Sequence, residues 1–169
     1  NSLNNQDEEL NEAEIKKKYE NAIKLLWASK FDEAENELKK LKKNNPVDLM
    51  PNIQYWLGEI HYAQKDFENA KLNYENAIYY KKNYFEAFLN LGKLYNDLGN
   101  FKSSSECLDK ALKINPNSSL AYNYLGALAE ARNDFTNAKR HYNKSIILDN
   151  INYEPLYNLS LVQLYENRY

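Results

Sequence analysis

Between residues 85 and 118 the apolar side chains recur with a helical period. Phe88, Leu91 and Tyr95 stand at i, i+3 and i+7, which is one stripe of an amphipathic helix. Phe101, Leu108, Leu112 and Ile114 supply a second stripe. Between the two lies Gly99-Asn100. Glycine accepts the left-handed conformation that closes a helix, and asparagine caps the start of the next one. Asn115-Pro116-Asn117 ends the second stripe. Helix, short turn, helix, short turn predicts an antiparallel pair.

The same pattern returns along the chain. Tyr55-Trp56-Leu57-Gly58 is followed by Leu89-Asn90-Leu91-Gly92 and Asn123-Tyr124-Leu125-Gly126, with glycines 34 residues apart, and Leu159-Ser160 continues the series. Phe67, Phe101, Phe135 and Tyr169 are in phase, as are Ala70, Ser104 and Ala138, then Tyr74, Leu108 and Tyr142, then Ala77, Ala111 and Ser145. Gly58, Gly92 and Gly126 fall inside predicted helices, where glycine costs about 1 kcal/mol relative to alanine. A cost repeated at one phase points to a repeated need, the close approach of a partner helix.

A 34-residue unit of this kind resembles the tetratricopeptide repeat, W-x2-L-G-x2-Y…A-x3-F…A…P. Its fullest copy here is Phe88, Leu91, Gly92, Tyr95, Ser104, Leu108, Ala111 and Pro116. Units are expected at 51–84, 85–118 and 119–152, with a degenerate one near 15–48 carrying Phe31, Ala34, Leu38 and Pro46, and a partial one at 153–169. The resemblance implies an all-α fold, a right-handed α-solenoid of antiparallel helix pairs with four and a half repeats. One pair cannot cover its own apolar faces, so pairs must stack. Residues 1–14 read as a polar N-terminal extension that runs into one long first helix over 8–29. Glu12 with Lys16 and Glu14 with Lys18 are favourable i,i+4 pairs there.

Composition narrows the function classes. Of the 169 residues 43% are hydrophobic and 27% charged, with a net charge of −2, so there is no electrostatic footprint for nucleic acid. Four glycines and four prolines leave few turns. No run approaches the roughly 18 apolar residues of a membrane span, and a soluble domain is expected, with the compartment open and the cytoplasm favoured over periplasm or cell envelope. Cys107 stands alone, which excludes an internal disulfide. The 15 Tyr and 26 Asn are what an A/T-rich coding sequence produces. The chain begins at Asn1 without methionine, so a fragment or processed chain is expected.

Catalytic and metal chemistry is sought without result. His61 and His141 are 80 residues apart, and with one cysteine they make no usual zinc set. His61 takes the phase of Tyr95 and reads as a core or edge histidine; Cys107, beside Leu108, reads as packing. The glycines belong to the repeat, so no phosphate-cradling loop is present. Lys39-Lys40, Lys42-Lys43 and Lys81-Lys82 read as the solvated face of second helices. No enzyme activity, metal or cofactor is expected.

What remains is surface. The resemblance implies that first helices line a concave groove, and its groove phases fall on Asn52, Tyr55, Trp56, Glu59 and Tyr62; on Glu86, Leu89, Asn90, Lys93, Asn96 and Asp97; on Leu120, Asn123, Tyr124, Ala127 and Glu130; and on Glu154, Tyr157, Asn158, Leu161 and Tyr165. Tyrosine and tryptophan bury large area with a polar handle, and asparagine pairs with both groups of an extended backbone. That suits a peptide or helix of another protein. The family's carboxylate clamp for acidic chaperone tails is missing, because its phases carry Tyr55, Glu59, Asn90, Leu120 and Tyr124, or Leu89, Lys93, Tyr124, Glu154 and Asn158. The expected role is a protein-interaction scaffold; the alternative is the recognition arm of a larger enzyme. Leu156, Tyr157, Leu159, Leu161, Val162, Leu164 and Tyr165 crowd the last helix, so self-association through 156–165 is expected.

Overall fold

The computed structural model describes residues 10–166. Among the described residues there are nine α-helices and no strand. Most of the expected polar extension, residues 1–9, and the repeat position of Tyr169 lie outside the described residues. The chain divides into two compact units, which meet in sequence at Tyr80 and Lys81.

The first unit holds α1 (Glu12–Trp27), α2 (Phe31–Lys43), α3 (Met50–Ala63) and α4 (Phe67–Tyr80). The helix α1 packs on α2, and α3 on α4. It begins at Glu12 and not near residue 8, because Asn11 stops it with a capping box. Asn11 Oδ1 accepts from the Glu14 N–H at 3.0 Å, and Glu14 Oε2 accepts from the Asn11 N–H at 3.0 Å. This takes the carboxylate that the expected pair with Lys18 required. The unit's core is built from Ala22, Ala34, Leu38, Leu41, Ile53, Leu57 and Ile60, with Tyr19 and Trp56 packed against it. Lys39, Lys40, Lys42 and Lys43 are exposed, as expected.

The second unit holds α5 (Phe85–Asp97), α6 (Phe101–Ile114), α7 (Ser119–Ala131), α8 (Phe135–Leu148) and α9 (Glu154–Glu166). Here α5 pairs with α6, α7 with α8, and α9 lies on α8. Lys81 and Lys82 sit in the turn after α4 and not on a second helix, because α4 already ends at Tyr80. Along α9, Val162 is fully buried against Ala138 and Tyr142, whereas Leu156, Tyr157, Leu164 and Tyr165 are exposed.

Every turn from a first to a second helix uses one left-handed residue. These are Ser29 (φ 58°), Lys65 (61°), Gly99 (73°) and Asn133 (57°). Three of the helices that follow are capped: Asp66 accepts from the Asn69 N–H at 3.3 Å, Asn100 from the Ser103 N–H at 3.3 Å and Asp134 from the Asn137 N–H at 3.2 Å, whereas Lys30 gives α2 no side-chain cap. Lys65 fills the left-handed position at a steric cost that glycine avoids.

The mid-helix glycines mark where a second helix presses on a first. A Cβ on Gly58 would stand 2.6 Å from the Tyr74 ring, one on Gly92 2.8 Å from Leu108 Cγ, and one on Gly126 2.3 Å from the Tyr142 ring. The expected close approach is therefore made by side chains of the paired helix. Buried Ser104 strengthens one such contact by donating to the Gly92 carbonyl at 2.8 Å.

Two substitutions check this account. Gly92→Leu is expected to destabilise by about 1–3 kcal/mol through overpacking; an unchanged urea midpoint would show that Leu108 moves aside freely. Lys65→Gly is expected to raise stability by about 0.5–1 kcal/mol, by relieving the left-handed backbone.

Candidate functional site

In the first unit the expected residues of α3 gather around one carboxylate. Tyr55, Trp56, Glu59 and Tyr62 are all half-buried. Trp56 Nε1 donates to the Tyr19 hydroxyl at 3.2 Å, which ties the indole to α1. The Tyr55 ring meets the Trp56 ring edge-on at 5.1 Å, and Tyr62 lies against Phe67 at 5.7 Å. The Tyr74 hydroxyl reaches across from α4 and donates to Glu59. Burial, then the adjacent Glu59 charge, pushes Tyr74 far above the usual tyrosine range, so it remains a donor. Burial also pushes Tyr19 up, against the donated Trp56 hydrogen bond.

In the second unit α5, α7 and α9 lie side by side, and so share a face. Lys93 is 3.6 Å from Asp97 on α5. Asn90, Asn96 and Tyr124 are half-buried, and Tyr157 is exposed. Asn123 is only 2% exposed, and its Oδ1 accepts from Asn158 Nδ2 at 3.3 Å. These two asparagines therefore join α7 to α9 beneath the surface. Glu130 accepts from the Tyr142 hydroxyl at 2.8 Å. Burial and Glu130 push Tyr142 far up in the same manner.

The two tyrosine hydroxyls on second helices are features of these faces that the groove phases do not include. Their signal was the shared phase of Tyr74 and Tyr142. A cleft of about 550 Å³, lined by Ile15, Tyr19, Val47 and Leu49, was also unforeseen. It forms between α1 and the α2–α3 loop.

The histidines occupy separate units. His61 is 8% exposed, with Nε2 3.7 Å from Glu35 and Nδ1 3.7 Å from Asp66. Burial raises Glu35, but Lys39 and the other donors around it outweigh this and hold its carboxyl below the usual range. His141 stacks on Tyr122 at 6.2 Å. Cys107 is buried near Gly92, as expected for a packing residue. Among the described residues no His, Cys, Asp and Glu gather as metal ligands, and no helix is long and apolar enough to cross a membrane.

Three family models for the tetratricopeptide repeat match the chain, at residues 19–83, 85–118 and 107–140. The chain belongs to the tetratricopeptide-repeat family. Similar proteins include anaphase-promoting complex subunit 3 of Schizosaccharomyces pombe, 27% identical over 63% of this chain. The match spans only 16% of that subunit's length. Among solved structures, MamA from Desulfovibrio magneticus RS-1 superposes with a TM-score of 0.78 at 18% identity, covering 90% of this chain and 85% of that one. The first repeat domain of Spaghetti (RPAP3), bound to the HSP90 peptide SRMEEVD, gives a TM-score of 0.65 at 19% identity over 70% of this chain and 94% of that one. These likenesses confirm the all-α tetratricopeptide solenoid class. Membership of this repeat family supports the role of a protein-binding scaffold.

One pH effect follows from the site. Burial, and then Arg140, holds His141 below the usual histidine range, against the nearby Asp134 and Asp109. The folded state thus binds this proton less readily than the unfolded chain, so stability falls as pH drops below about 6.5. His141→Gln is expected to flatten that part of the stability–pH curve; an identical slope in both proteins would remove His141 as the cause.

Proposed function

We propose that this chain is a non-enzymatic scaffold that holds a peptide or helix of a partner protein on its first-helix faces. These are the α3 face of the first unit and the α5–α7–α9 face of the second. The observation that carries the reading is the set of half-buried aromatic side chains, Tyr55, Trp56, Tyr62 and Tyr124, at first-helix positions. They are held by neighbours and offer polar edges at low entropic cost, as binding anchors do. Fixed acceptors, Glu59 and Glu130, stand among them. The Spaghetti relative holds an acidic HSP90 peptide. This chain lacks the cationic clamp for such a ligand, so its partner is of another class.

Affinity capture with cross-linking mass spectrometry identifies the partner. The double variant Tyr55→Ala/Tyr124→Ala is then expected to stay helical and to bind about ten-fold or more weakly, since each lost aromatic anchor costs about 1 kcal/mol or more. Unchanged affinity in the folded variant would overturn the assignment.

A second reading has its own observation. Leu156 and Leu164 on α9 are 48% and 59% exposed. We propose that a second copy covers them. Sedimentation velocity is expected to show a dimer that grows with concentration and is lost in Leu156→Ser/Leu164→Ser. A monomer at every concentration would overturn this.

A further inference from the structure

An open recess of about 560 Å³ lies in the second unit, lined by Ala127, Glu130, Ala131, Asn133, Phe135 and Tyr165. Its single charged lining group is the half-buried Glu130. The Tyr142 hydroxyl donates to that carboxylate at 2.8 Å, a neutral donor that brings no positive charge to it. Two aromatic rings, Phe135 and Tyr165, and the small side chains of Ala127 and Ala131 form the rest of the walls. Elsewhere on the first helices of this unit, the expected groove positions carry Glu86, Asp97 and Glu154 against one lysine, Lys93, which is already beside Asp97. The neighbouring cations Arg132 and Arg140 act on Asp134.

A carboxylate fixed by a neutral donor and walled by rings is complementary to a flat cation. Guanidinium meets both requirements, since it pairs with a carboxylate through its fork and stacks on aromatic faces. Ammonium is a compact, strongly hydrated point charge and uses the rings less well. We propose that this recess seats an arginine side chain of the partner peptide, with its guanidinium on Glu130 and against Phe135 and Tyr165. The assignment rests on the scaffold reading above and adds the chemistry of the ligand. The first unit repeats the device, with the Tyr74 hydroxyl on Glu59 beside Tyr55 and Tyr62.

The probe is N-acetyl-argininamide, titrated into the full chain and followed by amide chemical shifts. Saturable shifts centred on residues 127–135 are expected, with the neutral N-acetyl-glutaminamide giving none. Glu130→Gln keeps an acceptor for Tyr142, so it folds, and it is expected to weaken saturation at least five-fold. Glu106→Gln on α6 removes a charge elsewhere and is expected to change nothing. Equal weakening by both variants would show bulk charge attraction and overturn the seat. Equal saturation by N-acetyl-lysinamide would overturn the guanidinium assignment. The captured partner keeps the two readings distinguishable. If Tyr55→Ala/Tyr124→Ala releases it and Glu130→Gln does not, the arginine seat is wrong and the scaffold stands. If the aromatic variant fails to release it, the scaffold reading is wrong whatever the arginine probe does.

Discussion

The contact of a second-helix side chain on a first-helix glycine governs the rest of the structure. At Gly58 and Gly126 the residue pressed into the gap is a tyrosine, so close that even a methyl group could not be added. The contact sets how near the two helices stand, and so which neighbouring side chains meet. It also aims a hydroxyl. A tyrosine lying across glycine carries its hydroxyl on to a carboxylate of the same first helix, Glu59 for Tyr74 and Glu130 for Tyr142. Without that acceptor, a buried hydroxyl would cost about 1–3 kcal/mol. Packing and surface chemistry are therefore one arrangement: the residue that closes the pair also holds a half-buried carboxylate.

The fold was legible because the repeat states it several times over. Three in-phase glycines, and breaker residues at the same positions, left little freedom in the reading. The departures are local and have local causes. The helix α1 begins at Glu12 because a capping box decides a helix start more sharply than charge pairing does. Lys81 and Lys82 fall into a turn because α4 stops at Tyr80, and no periodicity fixes a boundary to one residue. The left-handed turn position is harder to read, since Ser29, Lys65, Gly99 and Asn133 share a backbone conformation without sharing chemistry.

The candidate face was legible only in outline. Repeat phase told which residues belong to first helices, but not which of them sit beneath the surface. Asn123 and Tyr124 are adjacent in sequence, yet one is sealed under a bond from Asn158 while the other remains half-buried. That outcome depends on the neighbouring helix, whose approach one unit's pattern does not encode. The hydroxyls of Tyr74 and Tyr142 escaped for the same reason. Their phase was evident, but the direction of a side chain across a glycine gap is a property of the pair.

The middle repeat shows that ring and carboxylate belong together. Where the second helix carries Leu108 in place of tyrosine, no hydroxyl crosses the gap. The first helix, α5, has Lys93 at the phase of Glu59 and Asn96 at the phase of Glu130. The close approach survives there by another means, the Ser104 hydroxyl on the Gly92 carbonyl. In the other two repeats the acid appears at one phase or the other, Glu59 beside Tyr74 and Glu130 beside Tyr142, one turn apart along their helices. A random scatter of acids over a solvated face has no reason to follow the tyrosines in this way. Satisfaction of the buried hydroxyl does, and it leaves the acids half-buried beside the rings. A half-buried carboxylate is already covered on its protein side before any partner arrives. Less water then has to be displaced when a cation reaches it, and electrostatic complementarity at such a point acts on the choice of partner more than on raw affinity.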